Sequence, residues 1–369
     1  MNILLLHATS DSLSYKATVF YLPSLKLQNL QQIFFPSPRL SDQFRGEATM
    51  KSTAFPFFVG IIMSVVMQGV LAGQSQACRS LAISGGGALG AYEAGALKGL
   101  YELHNEKPNW SKVAGISAGA IAATYLAQFN IGDEKAAIDG IIDVWETLTT
   151  DQVYQTFKRP FPTSTFGIDY LNGLLFHSGI FDTSPLDATI RAHFDEDKFR
   201  QSDRDWTVAA TNVHEGYLEF FNKSTEDPAT ATRASSSIPG IFNSTWYNGI
   251  AYSDGGLFSM VPILEAVQPC TTEIDVLLVT PLRDPKDVTD MTTVDFYLRT
   301  FGLGGMAQVE RDIALLRNAR PDIKLRIVRP EKVLDGSIIT FDPKVSKALV
   351  QQGYEDAKKS ILGATSVLH

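Results

Sequence analysis

The chain has 369 residues, of which 44% are hydrophobic and 20% charged, a composition typical of one large globular domain with or without appended segments. Its formal net charge of -8 argues against a nucleic-acid partner and against charge-driven attraction to anionic membranes, because no basic field is present. The two cysteines, Cys78 and Cys270, are too few for a disulfide scaffold or a cysteine-based metal site, but they allow one disulfide bond.

The first 72 residues divide into two segments. Residues 1–49 mix Ser, Gln, Pro and scattered apolar residues without sustained periodicity, which predicts no fold of their own. Met50-Lys51 then precedes the apolar run 54–72, a pattern typical of a secretory signal peptide; the alternative is a membrane anchor, because the run is just long enough to span a bilayer. We hypothesise that Met50 is the true initiator and that residues 73–369 form a domain in the secretory pathway or outside the cell.

A glycine-rich turn follows the first strand of this domain. Residues 81–84 predict a strand and residues 91–105 predict a helix. The glycines between them also fit a dinucleotide-binding turn, but that fold requires an acidic residue about 20 positions on, at the end of the second strand, and none is present there. We therefore expect the backbone here to present amide donors to an oxyanion on a neighbouring turn. The expected donors are Gly85, Gly86, Gly87 and Gly90.

The next turn carries a serine. Residues 113–116 predict a short strand, and the alanine-rich residues 118–128 predict a helix directly after it. Gly115 and Gly119 flank Ser117 in a G-x-S-x-G pattern and leave room for strained backbone and close approach of helix to strand. Such a turn presents the hydroxyl beside the free amides of the helix start, which favours a nucleophile; the alternative is three small residues packing a tight turn.

The remainder of the chain alternates strands with helices. This alternation predicts an α/β layer fold with turns at the carboxyl ends of the strands. Helices are predicted at 133–147, 185–194, 230–237, 262–267 and 294–318, and glycines at 302–305 interrupt the last of these. A final helix is predicted to begin at Asp342 and Pro343. Strands are predicted at 206–211, 217–222, 273–281 and 324–328.

An aspartate is the best candidate for the base that the serine requires. His369 is the sole histidine after residue 214, which argues against the order of serine, acid and late histidine found in ordinary α/β-hydrolases. Asp254 follows a short strand and precedes Gly255 and Gly256, which let a carboxylate approach a neighbouring loop. The alternative interpretation is an ordinary Asp-Gly turn, and a histidine-dependent esterase would instead require His214 or His369.

Four ordered blocks of this sequence resemble the patatin-like phospholipase family. The blocks are residues 85–90, 115–119, 233–242 and 254–256, and the similarity extends over about residues 81–362. Two positions depart from the family pattern. Leu89 stands where the family usually has Arg or Lys, and Met260 stands where it commonly has Asn.

The resemblance implies a single three-layer domain, with a mostly parallel central sheet flanked by helices and the nucleophile at a strand-to-helix elbow. It also implies a lipid acyl hydrolase of the phospholipase A or lysophospholipase type, with Ser117 as nucleophile and Asp254 as base. The substrate would be a phospholipid or other lipid ester at a membrane or micelle interface, and no cofactor or metal is expected. The alternative is a catalytically weak lipid-binding or storage protein of the same fold, favoured by Leu89 and Met260.

Two further features have alternative interpretations under this resemblance. The aromatic-rich residues 153–181 have little periodicity and are either a lid or acyl-chain groove or a routine packed excursion. Arg233 either neutralises a lipid phosphate or makes a structural ion pair. The oligomeric state is not predicted.

Overall fold

The computed structural model describes residues 77–157 and 168–363, except 284 and 286, together with the backbone of residues 2–8 and 15–21. The side chains of residues 168–171 are outside this description. The chain divides into two units, Met1–Gln74 and Ser75–His369.

The first unit contains one described feature, an antiparallel pair of strands. These are β1 (Asn2–Ala8) and β2 (Tyr15–Tyr21). An isolated two-stranded hairpin is only marginally stable in water, so this pair of strands is not an independent fold. The expectation that residues 1–49 have no fold of their own stays a prediction. The segment 50–72 lies outside the described residues, so the signal peptide also stays a prediction.

The second unit is built on an eight-stranded sheet. Its strands and those of a smaller sheet are, in chain order, β3 (Cys78–Ile83), β4 (Trp110–Gly115), β5 (Gln155–Thr156), β6 (Gly179–Asp182), β7 (Asp205–Asn212), β8 (Tyr217–Asn222), β9 (Gly240–Phe242), β10 (Thr245–Tyr247), β11 (Ile250–Asp254), β12 (Thr271–Leu277) and β13 (Lys324–Val328). The large sheet has the order β10-β11-β7-β4-β3-β12-β13, with β8 also paired to β7. Its five strands from β7 to β13 are parallel, whereas β8, β10 and β11 are antiparallel to their neighbours. The smaller sheet has the order β5-β6-β9.

Helices cover both faces of the large sheet. They are α1 (Gly90–Leu103), α2 (Ala118–Leu126), α3 (Glu134–Thr147), α4 (Ile168–Phe176), α5 (Ser184–Ala192), α6 (Glu196–Gln201), α7 (Pro228–Ser235), α8 (Thr293–Ala319) and α9 (Pro343–Lys359). Alternate side chains of a strand point to opposite faces, so Leu81 and Ile83 of β3 join one core while Ala82 joins the other. The first core is closed by α1, α2, α3 and α9, and the second by α8. The predicted three-layer α/β fold with a mostly parallel sheet is confirmed.

The final helix is one of the local predictions that the structure confirms. Asp342 caps α9 by accepting a hydrogen bond from the Lys344 amide at 2.8 Å, and Pro343 occupies the first turn. α9 packs against α1 at a distance that only glycine permits. A Cβ at Gly95 would overlap the backbone of α9, and a Cβ at Gly353 would overlap that of α1.

Two predicted elements differ from the structure. Residues 262–267 form turns where a helix was expected, and α8 runs through the glycines at 302–305 without the predicted interruption. A glycine inside a helix costs only about 1 kcal/mol relative to alanine, which packing can offset. The Met260 side chain lies against Gly305, where a Cβ would overlap it. Gly305 therefore accommodates packing near the candidate site. Among the described residues, no helix combines the length and apolar composition needed to cross a bilayer.

A disulfide bond joins the starts of two neighbouring parallel strands. Cys78 of β3 is bonded to Cys270, which immediately precedes β12. The bond closes a loop with a sequence separation of 192 residues, so it greatly restricts the unfolded chain. We expect its reduction to lower the free energy of unfolding by about 3–5 kcal/mol. Urea unfolding with and without reductant measures this loss.

The control for this prediction is the double variant Cys78→Ser/Cys270→Ser. It is expected to match the reduced wild type and to be insensitive to reductant. An unfolding midpoint that stays the same in the oxidised and reduced wild-type protein would contradict the prediction.

Candidate active site

Ser117 lies in a sharp turn between β4 and α2. Its backbone has φ 53° and ψ -122°, outside the regions that L-residues ordinarily occupy. The turn is compact because β4 and α2 are in direct backbone contact. A Cβ at Gly115 would overlap the carbonyl of Gly119. A Cβ at Gly119 would overlap the carbonyl oxygens of Ile83 and Ser84. The predicted strand-to-helix elbow is therefore present, with its strain concentrated at the serine.

Asp254 is the last residue of β11, and the structure brings its carboxylate to Ser117. The Ser117 side chain lies within interaction range of this carboxylate, and the Gly256 amide donates a hydrogen bond to Oδ1 at 2.7 Å. Ser117 is 5% exposed and Asp254 is 2% exposed. Gly255 leaves room for this approach, because a Cβ there would overlap the Ala209 carbonyl of β7. The two side chains singled out from the sequence thus meet in a nearly dry site.

The pKa of Asp254 is strongly perturbed. Burial raises the pKa of this carboxyl from 3.8 to about 7, because the charged form loses its hydration. The hydrogen bonds from Ser117 and Gly256 oppose this rise, since they favour the carboxylate. An aspartate with this pKa is a much better proton acceptor at neutral pH than a solvated one.

The end of α7 holds the serine and the aspartate together. The Ser235 hydroxyl accepts from the Ser117 amide at 2.9 Å, and the Ser236 hydroxyl donates to the Ser117 carbonyl at 3.1 Å. The Ser237 carbonyl accepts from the Asp254 amide at 2.8 Å. Sequence reasoning included these serines in a motif block but assigned them no role. Three consecutive hydroxyl residues after a helix were the available signal.

Hydrogen bonds within the fold occupy two of the four glycine amides that were expected to bind an oxyanion. The Gly85 amide donates to the Met260 carbonyl at 2.9 Å, and the Gly90 amide donates to the Gly87 carbonyl, so neither is free for a substrate. Within the described part of the chain, the amides of Gly86, Gly87 and Ala118 have no acceptor. The two most suitable are Gly87 and Ala118, because both line the same cavity as Ser117. Ala118 was missed from the sequence, although it directly follows the serine.

A buried acid beneath the glycine loop was also missed. Glu93 of α1 accepts hydrogen bonds from the Ser84 amide at 3.1 Å and the Ser84 hydroxyl at 2.8 Å. Burial raises the pKa of Glu93 well above its ordinary value. Because Ser84 directly precedes Gly85, these bonds fix the start of the loop on α1.

An apolar cavity of about 70 Å³ opens from Ser117. It runs between α2, α3, α5 and the end of α7, and its walls are mostly aliphatic and aromatic side chains. Val153 belongs to this wall, but residues 158–167 of the aromatic-rich stretch are outside the described residues, so a lid there stays a prediction. The apolar lining consists of Ala118, Ile121, Ala122, Ile141, Val144, Trp145, Leu148, Val153, Leu186, Ile190, Phe194, Ile238, Phe242 and Phe341.

The two positions that depart from the family pattern both have packing roles. Leu89 packs against the core that contains the serine elbow. The Met260 sulfur would lie 3.2 Å from a Cβ at Gly85, so the Met260 side chain packs directly against the glycine loop.

Arg233 and the described histidines make no hydrogen bond to the side chains of Ser117 and Asp254. Arg233 donates to the Thr183 hydroxyl at 3.2 Å and has Asp187 and Asp182 nearby, which favours the structural interpretation of this residue. His214 stacks edge-on with Trp246. No described histidine hydrogen-bonds Ser117 or Asp254, and His369 is outside the described residues. Within the same residues, no group of three or more His, Cys, Asp or Glu side chains is placed to hold a metal ion.

Comparison with known proteins finds similar chains in a virus and in two bacteria. The chain is 28% identical over 195 residues to the uncharacterized protein R571 of Acanthamoeba polyphaga mimivirus, a match that covers 50% of this chain and 60% of the viral protein. VipD from Legionella pneumophila is similar in structure, with a TM-score of 0.37, 14% identity, and coverage of 78% of this chain and 68% of VipD. ExoU, in its complex with SpcU from the type III secretion system of Pseudomonas aeruginosa, has a TM-score of 0.33 and 16% identity, with coverage of 78% and 52%.

The family assignment rests on the sequence itself. Residues 81–267, half of the chain, match the model of the patatin-like phospholipase family. This range contains the glycine loop, the serine elbow, the three serines at the end of α7 and Asp254. The chain therefore belongs to the patatin-like phospholipase family.

Proposed function

We propose that this protein is a lipid acyl hydrolase of the phospholipase A or lysophospholipase type. The observation that carries the proposal is the pairing of a buried Ser117 hydroxyl with a buried Asp254 carboxylate at the opening of an apolar cavity. The pair supplies a nucleophile and its base, and the cavity matches the apolar chain of a fatty acyl ester. Membership of the patatin-like phospholipase family supports the same class of reaction.

The first half-reaction forms an acyl-enzyme. Asp254 accepts the proton of Ser117 while the serine oxygen attacks the ester carbonyl, and the carbonyl oxygen becomes an oxyanion. In this mechanism the amides of Gly87 and Ala118 stabilise that oxyanion, which their lack of an acceptor in the fold and their position on the cavity wall support. When the intermediate collapses, the leaving alcohol takes the proton from Asp254 and the acyl group remains on Ser117.

The second half-reaction releases the fatty acid. Asp254 accepts a proton from a water molecule, whose oxygen attacks the acyl carbonyl. The C–O bond to Ser117 breaks, and the proton returns from Asp254 to the serine oxygen. The apolar cavity holds the acyl chain through both steps, so the carbonyl stays beside the donors.

The pKa of Asp254 predicts the pH dependence of hydrolysis. Only the ionised carboxylate accepts a proton, and its pKa is about 7. We therefore expect kcat/KM for a neutral soluble ester to rise with pH through about 7 and to level off above it. Initial rates between pH 5 and 9 measure this profile. A rate that is flat across the range, or that falls as pH rises through 7, would exclude Asp254 as the base.

The cavity predicts a limit on acyl-chain length. Ala122 lies on the wall one turn of α2 beyond Ala118 and is 4% exposed. Its replacement by phenylalanine would fill the cavity and exclude long chains. We expect Ala122→Phe to lower kcat/KM for a C16 ester about tenfold relative to that for a C4 ester, a loss of about 1.4 kcal/mol.

Ala136→Phe, on the exposed side of α3, is the matched control for Ala122→Phe and is expected to leave the preference unchanged. Rates with a series of p-nitrophenyl esters provide the measurement. An unchanged ratio for Ala122→Phe would place the acyl chain elsewhere.

We also propose that the protein works in the secretory pathway or outside the cell. The apolar segment at 54–72 and the disulfide bond between Cys78 and Cys270 both support this location, since disulfide bonds persist in oxidising compartments. Mass spectrometry of the N-terminus of the native protein tests it. A mature protein that begins near residue 73 is expected, and one that retains residues 1–49 would contradict both the signal peptide and the start at Met50.

A further inference from the structure

The segment 238–242, which contains β9, connects the cavity to the protein surface. Ile238 and Phe242 form part of the cavity wall. Between them, the Pro239 carbonyl accepts a hydrogen bond from the Tyr297 hydroxyl of α8 at 2.9 Å, and Gly240 pairs with Gly179 of β6. The outer side of the cavity wall is therefore in contact with the N-terminal half of α8 and lies beside the segment that joins α4 to β6.

The end of α4 presents large apolar side chains to solvent. Leu174, Leu175 and Phe176 are 64%, 67% and 77% exposed. The helix itself is fixed, because Gly173 packs directly on the backbone of Ile180 in β6. No charged residue occurs between residues 172 and 178. An ordered, uncharged cluster of this kind is typical of a binding surface.

A second group of exposed apolar side chains lies beside Asp254. Phe296 of α8 is 52% exposed, and Phe258, which follows the Asp254 turn, is 47% exposed. Both belong to elements that contact the site. The Phe301 ring on α8 would lie 3.4 Å from a Cβ at Gly256. Burial raises the pKa of Tyr297, and the nearby Asp254 charge raises it further.

We propose that these two groups form a single surface that inserts into the exposed face of a lipid bilayer or micelle. This entrance surface consists of Leu174, Leu175, Phe176, Phe258 and Phe296. It is contiguous with the cavity through the segment 238–242, so a protein docked there would receive an acyl chain without first transferring it through water. The inference rests on the proposed function, and it identifies the face of the molecule that meets the substrate.

The character of the entrance surface determines which lipids it fits. The chain carries a net charge of -8, so it gains nothing from anionic headgroups, whereas apolar and aromatic side chains insert at the boundary between headgroups and acyl chains of any lipid. Binding is therefore expected to be as strong on zwitterionic phosphatidylcholine as on anionic membranes. It is also expected to be insensitive to salt, since screening affects charge pairs and leaves apolar burial in place.

The test uses the full-length protein with Leu174, Leu175 and Phe176 all changed to serine. Co-sedimentation with phosphatidylcholine vesicles at low and high salt measures binding, and release of fatty acid from the same vesicles measures interfacial activity. Each fully inserted side chain of this size contributes enough apolar burial to change partition about tenfold or more, so we expect the triple variant to lose at least about tenfold in both assays. Hydrolysis of monomeric p-nitrophenyl butyrate is expected to stay at the wild-type rate. Leu315→Ser is the matched control, because Leu315 is 51% exposed at the far end of α8.

Each other outcome overturns the inference in a different way. Unchanged vesicle binding in the triple variant would show that another surface meets the lipid. An equal loss on the monomeric ester would show that these residues support the fold. A wild-type dimer that dissociates in the triple variant, measured by light scattering, would assign the surface to a second copy of the chain.

The inactive variant Ser117→Ala separates this inference from the proposed function. It is expected to bind vesicles like the wild type. If Ser117→Ala retains hydrolysis, the proposed mechanism fails while the vesicle-binding result still decides the role of the entrance surface.

Discussion

Replacing Ser117 with alanine is expected to abolish ester hydrolysis. Its side chain interacts with the buried Asp254 carboxylate and lines the apolar cavity, so it is the nucleophile of the proposed mechanism. Loss of a catalytic nucleophile commonly lowers kcat by about 10³-fold or more, with the remainder due to binding and oxyanion stabilisation. The fold should survive, because alanine fits the space that serine leaves and adds no new polar group.

Fluorophosphonate labelling provides a measurement that is independent of turnover. Only an activated serine reacts, so the wild type should be labelled at Ser117 and the variant should not. Ser80→Ala is the matched control, since Ser80 is also fully buried in the sheet, at the start of β3 away from the elbow, and should keep both labelling and rate. A wild type that binds lipid but neither reacts nor hydrolyses it would identify a lipid-binding or storage protein instead.

Features set by a few consecutive residues were predictable from the sequence. The apolar runs of β7, β8 and β13 matched the strands within a residue or two, since a short β-rich run between turn residues has few alternatives. The elbow at Ser117 was equally local, because the strand, the two glycines and the alanine-rich helix are adjacent in sequence. Asp342 with Pro343 predicted the start of α9 for the same reason.

Features that depend on distant segments were not predictable in this way. The amide of Gly85 is used by Met260, and the hydroxyl of Ser235 is used by the Ser117 amide, contacts that join segments more than 100 residues apart along the chain. Which glycine amide remains free for a substrate therefore depends on the assembled fold. The packing of Met260 on Gly305 is likewise a contact between distant segments, and the local sequence at 302–305 does not reveal it.

Replacing Asp254 with asparagine is expected to lower activity about 10³-fold while it raises the stability of the fold. Asparagine is nearly the same shape, and its carbonyl oxygen keeps the hydrogen bond from the Gly256 amide at 2.7 Å. Its side-chain amide is a donor on the side of Ser117 and cannot accept the serine proton, so no base remains. The catalytic loss therefore comes from chemistry and requires no change of structure.

Asp254→Asn is expected to be more stable than the wild type because folding raises the pKa of Asp254. Its folded-state pKa, about 7, lies above the ordinary value of 3.8, so the folded protein holds this proton more tightly than the unfolded chain does. Below pH 3.8 both states are protonated and the full stability is present. As pH rises from there towards 7, stability falls by about 1.4 kcal/mol for each pH unit, because the unfolded chain has already released the proton. The total loss is about 4 kcal/mol at most.

The neutral amide of Asp254→Asn avoids this loss, so the variant should be more stable than the wild type at pH 8 and similar at pH 4. Thermal or urea unfolding at the two pH values measures the difference, with Asp335→Asn as the control at an exposed carboxylate. A variant that is inactive but equally destabilised at both pH values would mean that Asp254 supports the fold. A variant that is inactive, and more stable than the wild type only at high pH, would show that the buried carboxylate lowers the stability of the fold. The site would then retain this carboxylate because the reaction needs a base there.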